Sequence, residues 1–336
     1  MGGSKRCVLV ALASVTMLAF LLYLTVPPLD TYVGDIHVMS SPPAAVPRLD
    51  TYKDRLAWIS HQCKKLGLTA VAKSLAFEPG LNVYSAPKHK LVFCAIPKIT
   101  STTWKRALIA LEMAPPGSKA DMQQFNVLPK NYPHTDSKVG KYVQRLSTIK
   151  DSRQKAAILS NADTKFMFVR HPFTRLLSAY RDKIADDAGD IGFRKWYLSE
   201  ISKHVGWQHA GGKISTSVSF VQFLNNVFRT PTERFDIHWA RMVDVCNPCV
   251  INYDFVGKQE SMRNDSAELL RRTGLAESID FPVRNATYKK ATSSDDVTLM
   301  RTYYKKVPLY LARQLHAKYE ADFLLFNYTF PDELFA

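Results

Sequence analysis

Three features are missing from this 336-residue sequence, and each absence narrows its function. No G-x-x-x-x-G-K-S/T motif occurs, which disfavours an ordinary nucleotide triphosphatase or nucleotide kinase. No basic run typical of nucleic-acid-binding arms occurs, although 45 basic against 30 acidic residues give a net charge of +15. No internal repeat or long low-complexity tract occurs, so one catalytic domain is expected. The scattered basic charge predicts an anionic partner, an acidic glycan or a nucleotide, and no nucleic acid.

Long apolar runs are also scarce, and the clearest one lies at the N-terminus. Residues 7–26 carry no charge, are about long enough to cross a bilayer, and follow Lys5 and Arg6. The sequence around Pro27 and Pro28 is a poor cleavage site, so a signal anchor is favoured over a cleaved signal peptide. The expected organisation is a cytosolic tail (1–6), a transmembrane signal anchor (7–26), a Pro-rich stem (27–50) and a luminal domain (51–336).

Cysteine is rare, with five residues in the chain. Outside the anchor, the four cysteines form an even set that an oxidising lumen would pair, in any of three ways: Cys63, Cys94, Cys246 and Cys249. Cys246 and Cys249 have the spacing of half a zinc site, but no second pair with metal spacing occurs. Structural disulfides or buried thiols are therefore expected, and no metal.

Three N-x-S/T sequons agree with a luminal domain. They are predicted glycosylation sites at Asn264, Asn285 and Asn327.

Apolar runs and helical spacings alternate along the domain. Residues 91–96 and 166–169 are continuous apolar runs, typical of strands buried on both faces of a parallel sheet. A third strand is predicted over 250–256, turning at Gly257 into a helix over 259–272. The helix faces after the first two strands are predicted from apolar residues at helical spacing: Trp104, Ala107, Leu108 and Leu111, then Leu176, Leu177, Tyr180 and Ile184. This alternation predicts an α/β fold with a central parallel sheet, with ligands at the carboxyl ends of the strands.

A turn rich in cations and hydroxyls follows each of the first two strands. The first turn contains a lysine followed by hydroxyls, and its candidate anion-binding residues are Pro97, Lys98, Ile99, Thr100, Ser101, Thr102 and Thr103. Backbone N–H groups at a helix start and the Lys98 side chain suit a phosphate or sulfate. The alternative is a helix cap at Ser101 or Thr102 beside a solvated Lys98.

The second turn begins with an arginine, whose guanidinium can bind two phosphate oxygens at once. Its candidate residues are Arg170, His171, Pro172, Phe173, Thr174, Arg175, Leu176, Leu177 and Ser178. The alternative is that Arg170 forms a structural ion pair, with Asp182 as a candidate partner. Two such turns in one domain predict a ligand with two separate phosphate-type groups.

Together the two turns resemble those of the Golgi membrane-bound carbohydrate sulfotransferases, the branch containing the chondroitin/dermatan 4-O-sulfotransferases and the HNK-1 sulfotransferase. The family's first turn has the pattern P-K-V-A-C-T-N-W-K-R, and its second F-V-R-x-P-F-x-R-L-x-S-A-Y/F-R. The matching positions are Pro97-Lys98, Thr102, Trp104 to Arg106 and Phe168 to Arg181, followed by His238-Trp239, Cys246-x-Pro248-Cys249, Tyr253 to Glu260 and Tyr319 to Tyr328. Thr103 and Ile237 depart from the family pattern, which has Asn and an acidic residue there.

The resemblance implies the sulfotransferase fold, P-loop-like with a central parallel sheet flanked by helices, and the sulfate donor 3′-phosphoadenylyl sulfate (PAPS). The first turn would bind the 5′-phosphosulfate, and Arg170 and Ser178 the 3′-phosphate. The implied enzyme is a Golgi carbohydrate sulfotransferase, anchored by residues 7–26 as a single-pass type II protein, with a homodimer as a further expectation. The acceptor would be an acidic glycan or proteoglycan, with O-4 of GalNAc in chondroitin or dermatan first. O-3 of a terminal glucuronate is the second candidate, and a non-catalytic glycan-binding protein is the alternative outside catalysis.

Sulfuryl transfer to a sugar hydroxyl needs charge stabilisation and a base. Lys98 is the predicted stabiliser of the leaving phosphate. His134 is the first candidate base, because it lies in a polar segment between the two turns, where related glycan sulfotransferases carry a functional histidine. The other candidates for the base are His238, His171, Glu112 and Asp136.

Overall fold

The computed structural model describes residues 47–68, 82–122, 132–134, 139–187, 190–204, 217–281 and 292–335. The expected cytosolic tail and anchor, and all of the stem before Pro47, lie outside these ranges. Within the described ranges, no helix is long and apolar enough to cross a membrane.

A five-stranded mixed sheet lies at the centre of the described unit. Its strands are β1 (Val83–Ala86), β2 (Leu91–Cys94), β3 (Gln144–Arg145), β4 (Thr164–Val169) and β5 (Phe255–Lys258), in the order β3-β1-β2-β4-β5. The predicted parallel arrangement is correct for β2, β4 and β5. It is wrong for β1, which runs antiparallel to β2 and β3. The short turn Pro87–His89 between β1 and β2 explains this, because a parallel pair needs a long crossover connection.

Helices flank the sheet on the described chain. They are α1 (Tyr52–Lys65), α2 (Ser101–Met113), α3 (Ser152–Asn161), α4 (Pro172–Lys183), α5 (Ile191–His204), α6 (Phe220–Arg229), α7 (Met242–Cys246), α8 (Met262–Arg272), α9 (Val297–Tyr304), α10 (Leu309–Lys318) and α11 (Glu320–Leu325). The predicted apolar faces of α2 and α4 are buried, as expected from their spacing. Phe93 and Phe166 stack across the parallel strands, and Trp104 of α2 packs against both rings.

The third strand begins later than predicted. It starts at Phe255 instead of residue 250, because residues 247–254 form a turn followed by irregular backbone. The Tyr253 hydroxyl donates to the Cys246 carbonyl at 2.7 Å. A Cβ atom at Gly257 would lie 2.2 Å from the Phe168 ring, so only glycine allows β5 to pack this closely on β4.

Two disulfides select one of the three pairings that the sequence leaves open. Cys63 in α1 bonds to Cys249, and Cys94 at the end of β2 bonds to Cys246 at the end of α7. Both cysteines of the C-x-x-C pair are therefore used, which removes them as zinc ligands. Within the described ranges, no group of three His, Cys, Asp or Glu side chains is placed to hold a metal ion.

Candidate functional site

The carboxyl ends of β2 and β4 bring the two predicted turns to the same edge of the sheet. Cys94 of β2 is in register with Met167 of β4, and the two strands run parallel. Lys98 therefore lies beyond one strand and Arg170 beyond its neighbour. This is the edge at which open α/β sheets bind ligands.

The first turn has an unusual backbone. Lys98 and Thr100 have φ angles of 72° and 48°, in the left-handed region that residues with a side chain rarely adopt. Such conformations persist where the surrounding structure enforces them, and they cluster at ligand-binding sites. Here the Thr100 hydroxyl donates to Gln259 Oε1 at 2.7 Å, which ties the turn to the segment after β5.

Thr100 is the N-cap residue of α2, and its side chain makes no capping hydrogen bond. The alternative that Ser101 or Thr102 caps the helix therefore does not hold in this structure. An uncapped helix start directs backbone N–H donors and the positive end of the helix dipole toward the turn. The turn can accordingly stabilise one anionic group.

Lys98 is an ion-pair partner rather than a solvated side chain. Its Nζ lies 3.0 Å from Oδ2 of Asp182 in α4, and both side chains are largely buried. Asp182 therefore pairs with Lys98, whereas the sequence offered it as a partner of Arg170.

All three nitrogens of the Arg170 guanidinium donate hydrogen bonds, and the residue is only 4% exposed. Nη1 donates to the Lys98 carbonyl and Nη2 to Ser294 Oγ, each at 2.9 Å, and Nε donates to Asp295 Oδ1 at 3.1 Å. The ion-pair alternative for Arg170 is thus present, with Asp295 as the partner. The same guanidinium also fixes the backbone of the first turn through Lys98.

A chain of hydroxyls leads from Arg170 to Ser178. Ser294 Oγ lies 3.1 Å from Thr292 Oγ1, which lies 3.1 Å from Ser178 Oγ. Sequence reasoning missed Thr292, Ser294 and Asp295, since they lie more than 110 residues from their partners. The one local feature of this segment is its density of hydroxyl and acidic residues before α9, which does not indicate a partner.

The remaining residues of the second turn have structural contacts. The side chains of Phe173, Leu176 and Leu177 lie in the core, and Thr174 Oγ1 contacts the sulfur of Met300. Pro172 begins α4, where a missing N–H costs nothing. The structure therefore brings together Lys98, Arg170 and Ser178, and places these apolar side chains away from them in the core.

Arg175 joins the first turn to a distant segment. Its buried guanidinium donates from Nε to the Pro97 carbonyl at 3.1 Å and from Nη2 to the Ile237 carbonyl at 3.0 Å. A third donation goes from Nη1 to the Ala240 carbonyl. One cation thus fixes the residue before Lys98 and the residue before His238.

His171 is held as a neutral ring. Its Nδ1 accepts from the Phe173 N–H at 3.2 Å, and its Nε2 lies 3.0 Å from the Thr329 carbonyl, so Nε2 carries the proton. Burial is the main cause that lowers the pKa of His171 below its usual 6.5. Nδ1 therefore caps α4, and Nε2 holds the C-terminal segment to it.

The candidate bases occupy different places. Glu112 lies at the far end of α2, about 18 Å along the helix from Thr100, where it accepts from the N–H groups of Lys88 and His89. The His134 side chain and all of Asp136 lie outside the described residues. His238 has its Nδ1 2.6 Å from Oδ1 of Asp236.

The predicted glycosylation sites lie in different surroundings. Asn264 is exposed in the first turn of α8. Asn327 donates from its side-chain amide to the Pro47 carbonyl at 2.8 Å. Asn285 lies outside the described residues.

Comparison with known proteins places the chain in a family. A family model described as "Sulfotransferase family" matches residues 82–329. Carbohydrate sulfotransferase 12 of Xenopus laevis is 32% identical over 260 residues, 74% of this chain and 60% of that protein. Carbohydrate sulfotransferase 11 of Rattus norvegicus is 32% identical over 73% of this chain and 66% of its own length. Carbohydrate sulfotransferase 10 of Homo sapiens is 29% identical over 84% of this chain and 77% of its own length.

The aligned part thus spans 60% of the length of carbohydrate sulfotransferase 12. No solved structure gives a significant match to the chain. The resemblance drawn from the two turns is confirmed by the family match, which includes both of them. The chain belongs to the sulfotransferase family.

Proposed function

We propose that this protein transfers the sulfuryl group of PAPS to a hydroxyl of a glycan, with O-4 of GalNAc in chondroitin or dermatan as the first acceptor. The observation that carries the proposal is the joined pair of cationic turns. Lys98 and Arg170 lie at neighbouring strand ends, and Arg170 donates to the Lys98 carbonyl. Membership of the sulfotransferase family supports a donor with two anionic groups.

The two turns suit different parts of the donor. The uncapped start of α2 and Lys98 would hold the 5′-phosphosulfate, because backbone N–H groups and an ammonium stabilise a group that carries charge on several oxygens. Arg170 and Ser178 would hold the 3′-phosphate, with the hydroxyls of Thr292 and Ser294 beside them. In the structure Asp182 and Asp295 pair with these cations, and we propose that the donor's anionic oxygens replace them.

The proposed reaction depends on positioning and charge. The acceptor oxygen attacks sulfur in line with the bond to the bridging oxygen of the 5′-phosphate. Lys98 stabilises the negative charge that develops on that bridging oxygen. A base must take the proton of the acceptor hydroxyl, and His134 and His238 are the first two candidates from the sequence.

A glycan is the proposed class of acceptor. The relatives are named carbohydrate sulfotransferases, which supports a glycan acceptor and leaves the sugar and the oxygen open. A glucuronate O-3 acceptor of the HNK-1 type is the second candidate. A basic, non-catalytic glycan-binding protein is the candidate from another class, and the presence of Lys98, Arg170 and Ser178 argues against it.

The proposed location of the protein is the Golgi membrane. Residues 7–26 would anchor the protein in the Golgi membrane as a single-pass type II protein, with the catalytic domain in the lumen. Two disulfides linking distant segments support an oxidising compartment. The homodimer stays an expectation from the resemblance.

The test is transfer of labelled sulfate from PAPS to a panel of desulfated glycans, followed by disaccharide analysis of the product. We expect label on O-4 of GalNAc. Label on a terminal glucuronate supports the second candidate. If the protein binds the donor but sulfates none of these glycans, the proposed acceptor is wrong. If it does not bind the donor, the result supports the non-catalytic alternative.

A further inference from the structure

His238 and Asp236 form a carboxylate–histidine pair on one turn of backbone. Asp236 Oδ1 lies 2.6 Å from His238 Nδ1 and also accepts from the His238 N–H at 2.9 Å. A carboxylate at Nδ1 holds the proton there, which leaves the lone pair of Nε2 as the acceptor in the neutral ring. Among the described residues, none forms a hydrogen bond with Nε2. The His238 side chain is 22% exposed, so Nε2 belongs to a partly accessible ring.

Arg175 places this pair near Lys98. It binds the carbonyls of Pro97 and Ile237, the residues that precede Lys98 and His238 in the chain. Since a guanidinium is small and planar, these two carbonyl oxygens lie within about 9 Å of each other. The segment is further fixed because the Tyr319 hydroxyl donates to the Trp239 carbonyl.

A series of side-chain contacts also connects Lys98 to His238. Lys98 pairs with Asp182, and the neighbouring Lys183 Nζ lies 3.8 Å from the same carboxylate oxygen. Lys183 Nζ lies 5.4 Å from the centre of the Phe193 ring, which in turn lies 5.2 Å from the His238 ring. Four contacts through Asp182, Lys183 and Phe193 therefore connect the side chains of Lys98 and His238.

We infer that His238 is the base that takes the proton from the acceptor hydroxyl, with Asp236 as its positioning residue. The inference rests on the proposed sulfuryl transfer. As the acceptor oxygen forms its bond to sulfur, its proton passes to His238 Nε2. The bond from sulfur to the bridging oxygen breaks, and its electron pair stays on the phosphate beside Lys98. Asp236 stabilises the resulting imidazolium, which then gives its proton to water.

The test compares variants of the full-length chain. In His238→Ala, transfer of sulfate to desulfated chondroitin should fall about 10²- to 10⁴-fold, the usual contribution of a base. Its affinity for adenosine 3′,5′-bisphosphate should not change, and added imidazole should restore part of the rate. In Asp236→Asn, kcat should fall with little change in the KM for PAPS, because the amide no longer fixes the tautomer.

The matched control is His89→Ala. His89 also has its Nδ1 beside a carboxylate, that of Glu112 at 3.1 Å, but it lies at the far end of α2. Its transfer rate should equal that of the wild type. If His238→Ala fails to fold, His238→Gln and Asp236→Asn give the same test.

The outcomes separate the inference from the proposed function. Full turnover in His238→Ala with intact donor binding overturns the inference and leaves the proposed function standing. Loss of transfer in His134→Ala, together with full turnover in His238→Ala, assigns the base to His134. Absence of transfer and donor binding in the wild type contradicts the proposed function and the inference together.

Discussion

Lys98 Nζ and Asp182 Oδ2 form an ion pair of 3.0 Å between the first turn and α4. Arg170 and Asp295 form a second pair at the neighbouring strand end. Each cation expected to bind an anion of the donor is therefore paired with a carboxylate in this structure. The proposed donor must compete with these carboxylates, and this competition can be measured.

Asp295→Asn should tighten donor binding. The Asp295 side chain is 48% exposed, so its pair with Arg170 is worth less than a buried one. Removing its charge should lower the Kd for adenosine 3′,5′-bisphosphate roughly two- to fivefold, measured by calorimetry. Asp163→Asn is the matched control, because Asp163 forms an exposed pair with Lys90. Weaker binding in Asp295→Asn would mean that Asp295 orients Arg170 for the phosphate.

Arg175→Lys should disturb the site through the backbone. A lysine cannot reach the carbonyls of Pro97, Ile237 and Ala240 together, so buried acceptors lose their donors. We expect the free energy of unfolding to fall by about 2–4 kcal/mol in urea denaturation. Arg313→Lys is the control, since Arg313 is half exposed and pairs with Asp332. Equal stability of both variants would contradict the role given to Arg175.

The disulfides should contribute to stability. Non-reducing peptide mapping should recover Cys63–Cys249 and Cys94–Cys246 as the linked pairs. Replacing both Cys94 and Cys246 by Ser should lower the free energy of unfolding by about 2–5 kcal/mol, because the link closes a long loop in the unfolded chain. A recovered Cys246–Cys249 link would contradict the observed pairing.

His171 should make the fold less stable in mild acid. Its pKa is lowered in the native state, so below pH about 6.5 the unfolded chain binds a proton that the native ring does not. The free energy of unfolding should therefore fall as the pH falls from 7.5 to 5.5, because protons bind the unfolded chain more readily than the native ring. His171→Asn, which keeps a helix-capping side chain, should flatten the dependence.

The control for this pH dependence is His61→Asn, because His61 is exposed in α1. Urea unfolding curves at several pH values provide the measurement. The same pH slope in His171→Asn and in the wild type would mean that another group causes it.

The sequence predicts the two cationic turns well because their causes are local. An apolar run, a cationic turn and a 3.6-residue periodicity define β2 with α2 and β4 with α4. The partners of Lys98 and Arg170 are not local. Asp182, a candidate partner of Arg170 in the alternative interpretation, pairs with Lys98, and Asp295 was missed, because neither pairing leaves a pattern in the chain.

Two other differences between the sequence-based predictions and the structure have identifiable physical causes. The strand predicted from residue 250 begins at Phe255, since the disulfides of Cys246 and Cys249 and the Tyr253 hydroxyl bond hold the preceding residues in a turn. The sequence favours His134 over His238 as the candidate base. The pairing of His238 with Asp236 and the bridging role of Arg175 exist only in the fold.

The two-anion site is the central claim, and donor calorimetry tests it most directly. Titration of adenosine 3′,5′-bisphosphate into Arg170→Ala and of PAPS into Lys98→Ala should show affinities roughly 10- to 100-fold weaker than the wild type, the loss expected for one charged hydrogen-bonding partner. Lys90→Ala, an exposed charge change next to β2, should bind both ligands as the wild type does. Unchanged donor affinity in both Lys98→Ala and Arg170→Ala would contradict the account.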